Sequence, residues 1–193
     1  MLLLSKRSDM NKPYYVIYTD GSCYKGTGGY GVYIQYRTKE KVLKETELSC
    51  GFENTTISRM ELMAIIVGLM TIEEKQSISI LIVSDSQYII NSIRNQWLDR
   101  WEREDFVGRL NSDLWKVFLE EWRQFNCEKI KFRHTRGHEK GLDCYKEGNS
   151  HADILASYKN FIGNYEKDFS DEEWKLMNKD SLDPNLVKED LPF

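Results

Sequence analysis

The run Ile78–Val83, read I-S-I-L-I-V, is apolar on both of its alternating faces, so a strand built from it needs cover on both sides. That demand is typical of a buried parallel strand and commits the chain to a sheet with helices packed on it. Three further strands precede it, at Tyr14–Tyr24, Tyr30–Arg37 and roughly Val42–Phe52, rich in aromatic and β-branched residues. Their joins, the Gly-rich Lys25–Gly29 and the charged Thr38–Lys41, are short, which predicts antiparallel neighbours. Ser58 to about Lys75 reads as a helix, opened by Ser58-Arg-Met-Glu61 in the form of a capping box. Asp85–Asn95, Trp97–Arg103 and Asn111–Phe125 read as helices, Glu128–His134 as a fifth strand, and about Asn149–Tyr158 as a last helix. The order predicts an α/β fold: a five-stranded mixed sheet with helices on both faces.

Four acids stand at the ends of these elements. Asp20 follows the strand Y-Y-V-I-Y-T, Glu61 opens the first helix, Asp85 ends the apolar run, and Asp153 is expected in the first turn of the last helix. We read them as converging on divalent metal ions. Each has a plainer reading. Glu61 could complete the capping box, Asp85 and Asp153 could be first-turn acids favoured by a helix dipole, and Asp20 could begin a turn with Gly21.

The formal charge of −4 is unevenly spread: Asn160–Phe193 carries nine acids against four lysines, leaving the rest close to neutral. The expected organisation is an N-terminal extension at 1–13, one domain at 14–160, and an acidic tail at 161–193 that is partly disordered. The four cysteines (23, 50, 127 and 144) include no Cys-x-x-Cys pair, and Met1-Leu-Leu-Leu is too short for a leader or a membrane span. A cytoplasmic, monomeric protein with reduced thiols and no membrane association is expected.

T-D-G-S-C (19–23), G-G-Y-G (28–31), R-M-E-L-M-A (59–64), S-D-S-Q-Y (84–88), G-H (137–138) and N-S-H-A-D-I-L-A (149–156) resemble, in that order, type I ribonuclease H. The resemblance covers about Tyr14–Tyr158. It implies the RNase H-like fold and an endoribonuclease that cuts the RNA strand of RNA–DNA hybrids, leaving 5′-phosphate and 3′-hydroxyl ends, in primer removal and R-loop clearance. It implies two magnesium ions (Mg2+, with Mn2+ as a substitute) held by Asp20, Glu61, Asp85 and Asp153, with Asp20 bridging both. His138 matches the family's loop histidine, which helps move a proton or release product. Thr56 matches a threonine gripping a DNA-strand phosphate, Gln87 a reader of minor-groove base edges, and Asn149 a backbone contact near the cut. Trp97 and Trp101 occupy the segment that in many relatives packs on the DNA strand; their spacing of four also fits one buried helical face.

Three features depart from that pattern. Ile57-Ser58 stands where a pair of amide side chains is usual, so one 2′-hydroxyl contact is lost or moved to backbone. The segment from Arg94 to Lys116 holds five basic and five acidic residues and is neutral rather than basic, which predicts modest affinity. The loop between His138 and Asp153 is long. None of these removes a metal ligand. The closing E-D-L-P-F resembles the acidic tails of bacterial single-stranded-DNA-binding proteins and points to contact with such a protein or with other replication proteins. Two alternatives remain: a hybrid-binding protein with weak or lost cleavage, and a nuclease of the same fold acting on double-stranded RNA.

Overall fold

Along β1 (Tyr14–Tyr24) successive side chains turn to opposite sides of the sheet, and both sides are buried. Ile17 joins one core with Val32, Ile34, Ile80 and Ile82, while Val16 and Tyr18 join a second with Tyr33, Val83 and Ala152. The computed structural model describes residues 12–135, 145–170 and 173. After β1 come β2 (Thr27–Arg37), β3 (Val42–Glu53), α1 (Ile57–Met70), β4 (Ser79–Ser84), α2 (Gln87–Arg94), α3 (Trp97–Arg103), α4 (Ser112–Trp122), β5 (Ile130–His134), α5 (Lys146–Ala156) and β6 (Tyr165–Lys167).

The sheet order is β5-β4-β1-β2-β3-β6. β1, β2 and β3 form the expected antiparallel meander, and β4 and β5 add in parallel beside β1. α1 and α4 contribute Leu62, Ile65, Leu69, Trp115 and Phe118 to the first core, and α5 covers the opposite face through Ala152. Helices on both faces satisfy the apolar β4, as its sequence requires.

The structure departs from expectation at several places. The sheet has a sixth strand: β6 pairs in parallel with Gly51–Glu53 at the edge of β3. Three residues reading Y-E-K carry no strand signature, so only the free edge of β3 explains them. The capping box does not form. α1 starts one residue earlier, with Thr56 extended as N-cap and no side-chain cap bond. α5 starts at Lys146, so Asp153 lies in its second half rather than its first turn, where a helix dipole offers an acid nothing. His138, residues 1–11, and most of the acidic tail including E-D-L-P-F lie outside the described residues.

Candidate active site

Asp20 and Asp85 are neighbours because of strand register. Thr19 of β1 pairs with Ser84 of β4, and Ser84 with His134 of β5. The next residues, Asp20 and Asp85, therefore stand side by side where the parallel pairing of β1 with β4 stops. Asp85 ends its strand as expected, but Asp20 does not: β1 runs on to Tyr24 because its pairing with β2 continues past Gly21. The Asp20 carboxylate is 8% exposed, and its Oδ1 accepts a 2.7 Å hydrogen bond from the Gly21 amide. His134 Nε2 lies 3.1 Å from the Asp85 carbonyl oxygen, which ties the end of β5 to the start of the β4–α2 turn.

Two glycines bring in the other acids. A Cβ at Gly21 would lie 2.7 Å from the Met60 carbonyl carbon and 2.9 Å from Glu61 Cα, so α1 rests directly on the end of β1. That contact sets Glu61 beside Asp20. Across the sheet, Gly31 pairs with Asp20, and a Cβ there would meet the Ala156 amide nitrogen at 2.5 Å. α5 therefore closes onto β2 at the same level and delivers Asp153, which is solvent-exposed. Glu61 does not cap its helix; its Oε2 accepts a 2.8 Å hydrogen bond from Ser86 Oγ.

The electrostatics follow from this crowding. Burial, then the charge of Asp85, push the Asp20 pKa up to about 8, with Asp153 and Glu61 adding to the rise and the Gly21 amide opposing it. Burial also raises Glu61, helped by Asp85, while the Ser86 hydroxyl works to keep it ionised. Among the described residues, no three His, Cys, Asp or Glu side chains are drawn together as a closed metal-ligand group. Four acids of like charge resist such closure. All four donors are hard oxygens, the type magnesium prefers, and a cation would relieve the repulsion that raises Asp20.

The expected substrate contacts separate. Thr56, at the N-cap of α1, and Gln87, exposed at the start of α2, both reach the surface near the acids. Asn149 is 5% exposed and accepts a 3.1 Å hydrogen bond from Thr135 Oγ1, so it holds the end of β5 to α5 from inside. Trp101 is 8% exposed and packs edge-on against Trp115 at 5.6 Å, which makes it core; Trp97, half-buried and 6.1 Å from Trp101, keeps an outward face. His151 stacks on Tyr33 at 4.3 Å, and its Nε2 lies 2.8 Å from Glu47 Oε1, a place on the sheet surface away from the acids' chemistry.

Sequence reasoning missed three groups. Ser86 is one. A second is Asn111, the left-handed N-cap of α4, whose Nδ2 donates to Ser58 Oγ at 3.2 Å. Ser58 Oγ is in turn 3.4 Å from Thr56 Oγ1, so the N-termini of α1 and α4 meet in a small polar cluster. The third is Arg59, buried in the first turn of α1. Ser86 and Asn111 each precede a helix in sequence; Ser86 and Arg59 also fall within the motifs S-D-S-Q-Y and R-M-E-L-M-A, but nothing local names the partners they find.

Known proteins share the sequence and the fold. The RNase H family model matches residues 12–160. A ribonuclease H of Desulforamulus reducens is 40% identical over 131 residues, 63% of this chain and 75% of the relative. One from Caldicellulosiruptor saccharolyticus is 38% identical over 130 residues, 64% of this chain and 83% of its own. In fold, LC9-RNase H1, described as a type 1 RNase H with the type 2 active-site motif, superposes with a TM-score of 0.61 at 22% identity, over 84% of this chain and 81% of that one. A match that runs from the first strand through the last helix, with relatives spanned over most of their length, establishes that this chain belongs to the RNase H family.

Proposed function

We infer that this chain is an endoribonuclease that hydrolyses the RNA strand of RNA–DNA hybrids, with Asp20, Glu61, Asp85 and Asp153 as the groups that hold two magnesium ions beside the scissile phosphate. The observation that carries the reading is the acid cluster gathered around the buried Asp20, where the pairing of β1 with β4 stops, within a chain of this family. Bound magnesium supplies Lewis-acid stabilisation of phosphate oxygens and a more acidic water. The chain's own residues do the rest. The Gly21 amide fixes one oxygen of Asp20, and the Ser86 hydroxyl fixes one of Glu61 and favours its ionised form.

Thr56, Ser58 and Asn111, at two converging helix N-termini, suit a phosphate of the DNA strand. Gln87 faces solvent where base edges would pass, and the outward face of Trp97 suits a deoxyribose. Asn149 and Trp101 act from the interior by holding β5, α5 and the α3–α4 aromatic layer. On this reading the products carry 5′-phosphate and 3′-hydroxyl ends, manganese substitutes for magnesium, and His138 assists proton transfer or product release. Among the described residues no helix is long and apolar enough to cross a membrane. A cytoplasmic monomer whose tail meets a single-stranded-DNA-binding protein belongs to the same proposal; an unchanged pull-down after removal of Asp190–Phe193 would end the tail's part in it.

The test is cleavage of a labelled RNA–DNA hybrid in magnesium, beside single-stranded RNA, double-stranded RNA and DNA duplex, with Asp20→Asn as control. Hybrid-only cutting that vanishes in the variant is expected. Tight hybrid binding without cutting, in magnesium and manganese alike, would leave a binding protein instead. Cutting of double-stranded RNA at a similar rate would refute the substrate assignment.

A further inference from the structure

Arg59 is 3% exposed, yet it carries a full charge and donates to two carboxylates. Its terminal nitrogens reach Asp113 Oδ1 and Oδ2 at 2.8 and 2.7 Å; its Nε and one terminal nitrogen reach Asp168 at 2.6 and 2.8 Å. Burial alone would lower the guanidinium pKa, but the hydrogen bonds it donates to both acids outweigh burial and raise it above the ordinary value. Asp113 sits in the first turn of α4, and Asp168 directly follows β6. The arginine is therefore a three-way joint between α1, α4 and the chain beyond β6.

That last arm is held at every position. The Asp168 amide donates to the Glu53 carbonyl at 3.0 Å, and Thr55 Oγ1 donates to Asp168 Oδ2 at 2.7 Å. Asn54 Nδ2 donates to the Phe169 carbonyl at 3.0 Å, and the Phe169 ring lies 4.2 Å from the guanidinium. Residues 165–169 thus grip Gly51–Thr55, the stretch that leads into Thr56. They lie past residue 160, where the family match stops.

We propose that Asp168 is a positioning residue for substrate binding: through Arg59 and Thr55 it sets the spacing between the N-termini of α1 and α4, and so the phosphate-facing cluster of Thr56, Ser58 and Asn111. The proposal rests on the reading above that this cluster receives a DNA-strand phosphate. Asp168 is 5% exposed while Asp113 is 57% exposed, so Asp168 is the fixed arm and Asp113 the solvated one. Without Asp168, two buried guanidinium donors lose their acceptors and the side chain turns wholly to Asp113, drawing α4 with it. Glu61 is spared, because Gly21 packing and the Ser86 bond hold it separately. The signature is a change in KM without a change in kcat.

The experiment compares full-length wild type, Asp168→Asn, Asn54→Gly and Ile130→Ala in steady-state hybrid cleavage, well below each melting temperature. Asn54 has a φ of 56°, which glycine tolerates, so that variant removes the side-chain tie to Phe169 without backbone strain and remains informative if Asp168→Asn does not fold. Ile130→Ala is a core control remote from the joint. KM for Asp168→Asn should rise about tenfold with kcat within about twofold, as for loss of one well-placed charged contact. Asn54→Gly should raise KM about threefold, and Ile130→Ala should leave it unchanged. An unchanged KM in both joint variants, or an equal rise in the core control, overturns the proposal while normal wild-type cleavage keeps the functional reading. A wild type that does not cut the hybrid overturns both.

Discussion

Replacing Asp20 by Asn should abolish cleavage and, in the absence of divalent cations, make the protein more stable. The wild-type carboxyl has a native pKa of about 8 against an ordinary value of 3.8. Between those values the native state holds one more proton than the unfolded chain, so stability is full below about pH 4 and falls as pH rises towards 8. The slope is about 1.4 kcal/mol per pH unit, which accumulates to up to about 4 kcal/mol at pH 7. Asn keeps the 2.7 Å bond from the Gly21 amide and carries no charge to bury. Its gain should therefore be absent near pH 4 and largest above pH 7, a melting temperature higher by roughly 5–15 °C for a chain of this size. The assay is thermal and urea unfolding of both proteins in EDTA from pH 4 to 8.5, then with magnesium, which should stabilise wild type more than the variant. An Asn variant no more stable than wild type at pH 7, or equally more stable at pH 4 and pH 7, would refute the placement of Asp20 as a buried acid among like charges.

Other outcomes follow from single contacts. Gly21→Ala forces a methyl into the backbone of Met60 and Glu61; it should cost about 1–3 kcal/mol in urea unfolding, and the displaced Glu61 should lower kcat about 100-fold. Ser86→Ala removes the hydroxyl that favours ionised Glu61, so its pKa should rise further; the acid limb of the pH–rate profile should move to higher pH, with kcat/KM down about tenfold at pH 6 and recovering at pH 8.5. Phe118 is fully buried between Trp115 and Trp122, and Phe118→Ala should cost about 3–5 kcal/mol of stability while leaving KM for the hybrid unchanged.

Much of the fold was legible because its signals are local. β1 was read at its observed bounds, and α3 likewise, since aromatic and β-branched alternation and helical spacing are written within a few residues. Asp85 was legible as a strand-end acid for the same reason, whereas Asp20 lies within β1, at the point where β4 leaves it. Local rules misled where a side chain had a better partner elsewhere. Ser58 and Glu61 have the spacing of a capping box, but Glu61 turns to Ser86, twenty-five positions away, and Ser58 to Asn111. Trp97 and Trp101 look alike in sequence; only the position of Trp115 decides that Trp101 is core and that Trp97 retains an outer face.

The sequence by itself determined the order of elements from β1 to α5, the two-sided burial of β4 and the strand end that carries Asp85, because periodicity and strand punctuation act between near neighbours. The tertiary structure alone decided which acids meet, through the close approaches at Gly21 and Gly31. It also decided that Y-E-K becomes a strand, and that Arg59 spans 109 positions to Asp168. A sequence pattern specifies which face of an element is apolar. It does not specify which distant polar group will satisfy a buried charge, and that choice is made only when the elements pack.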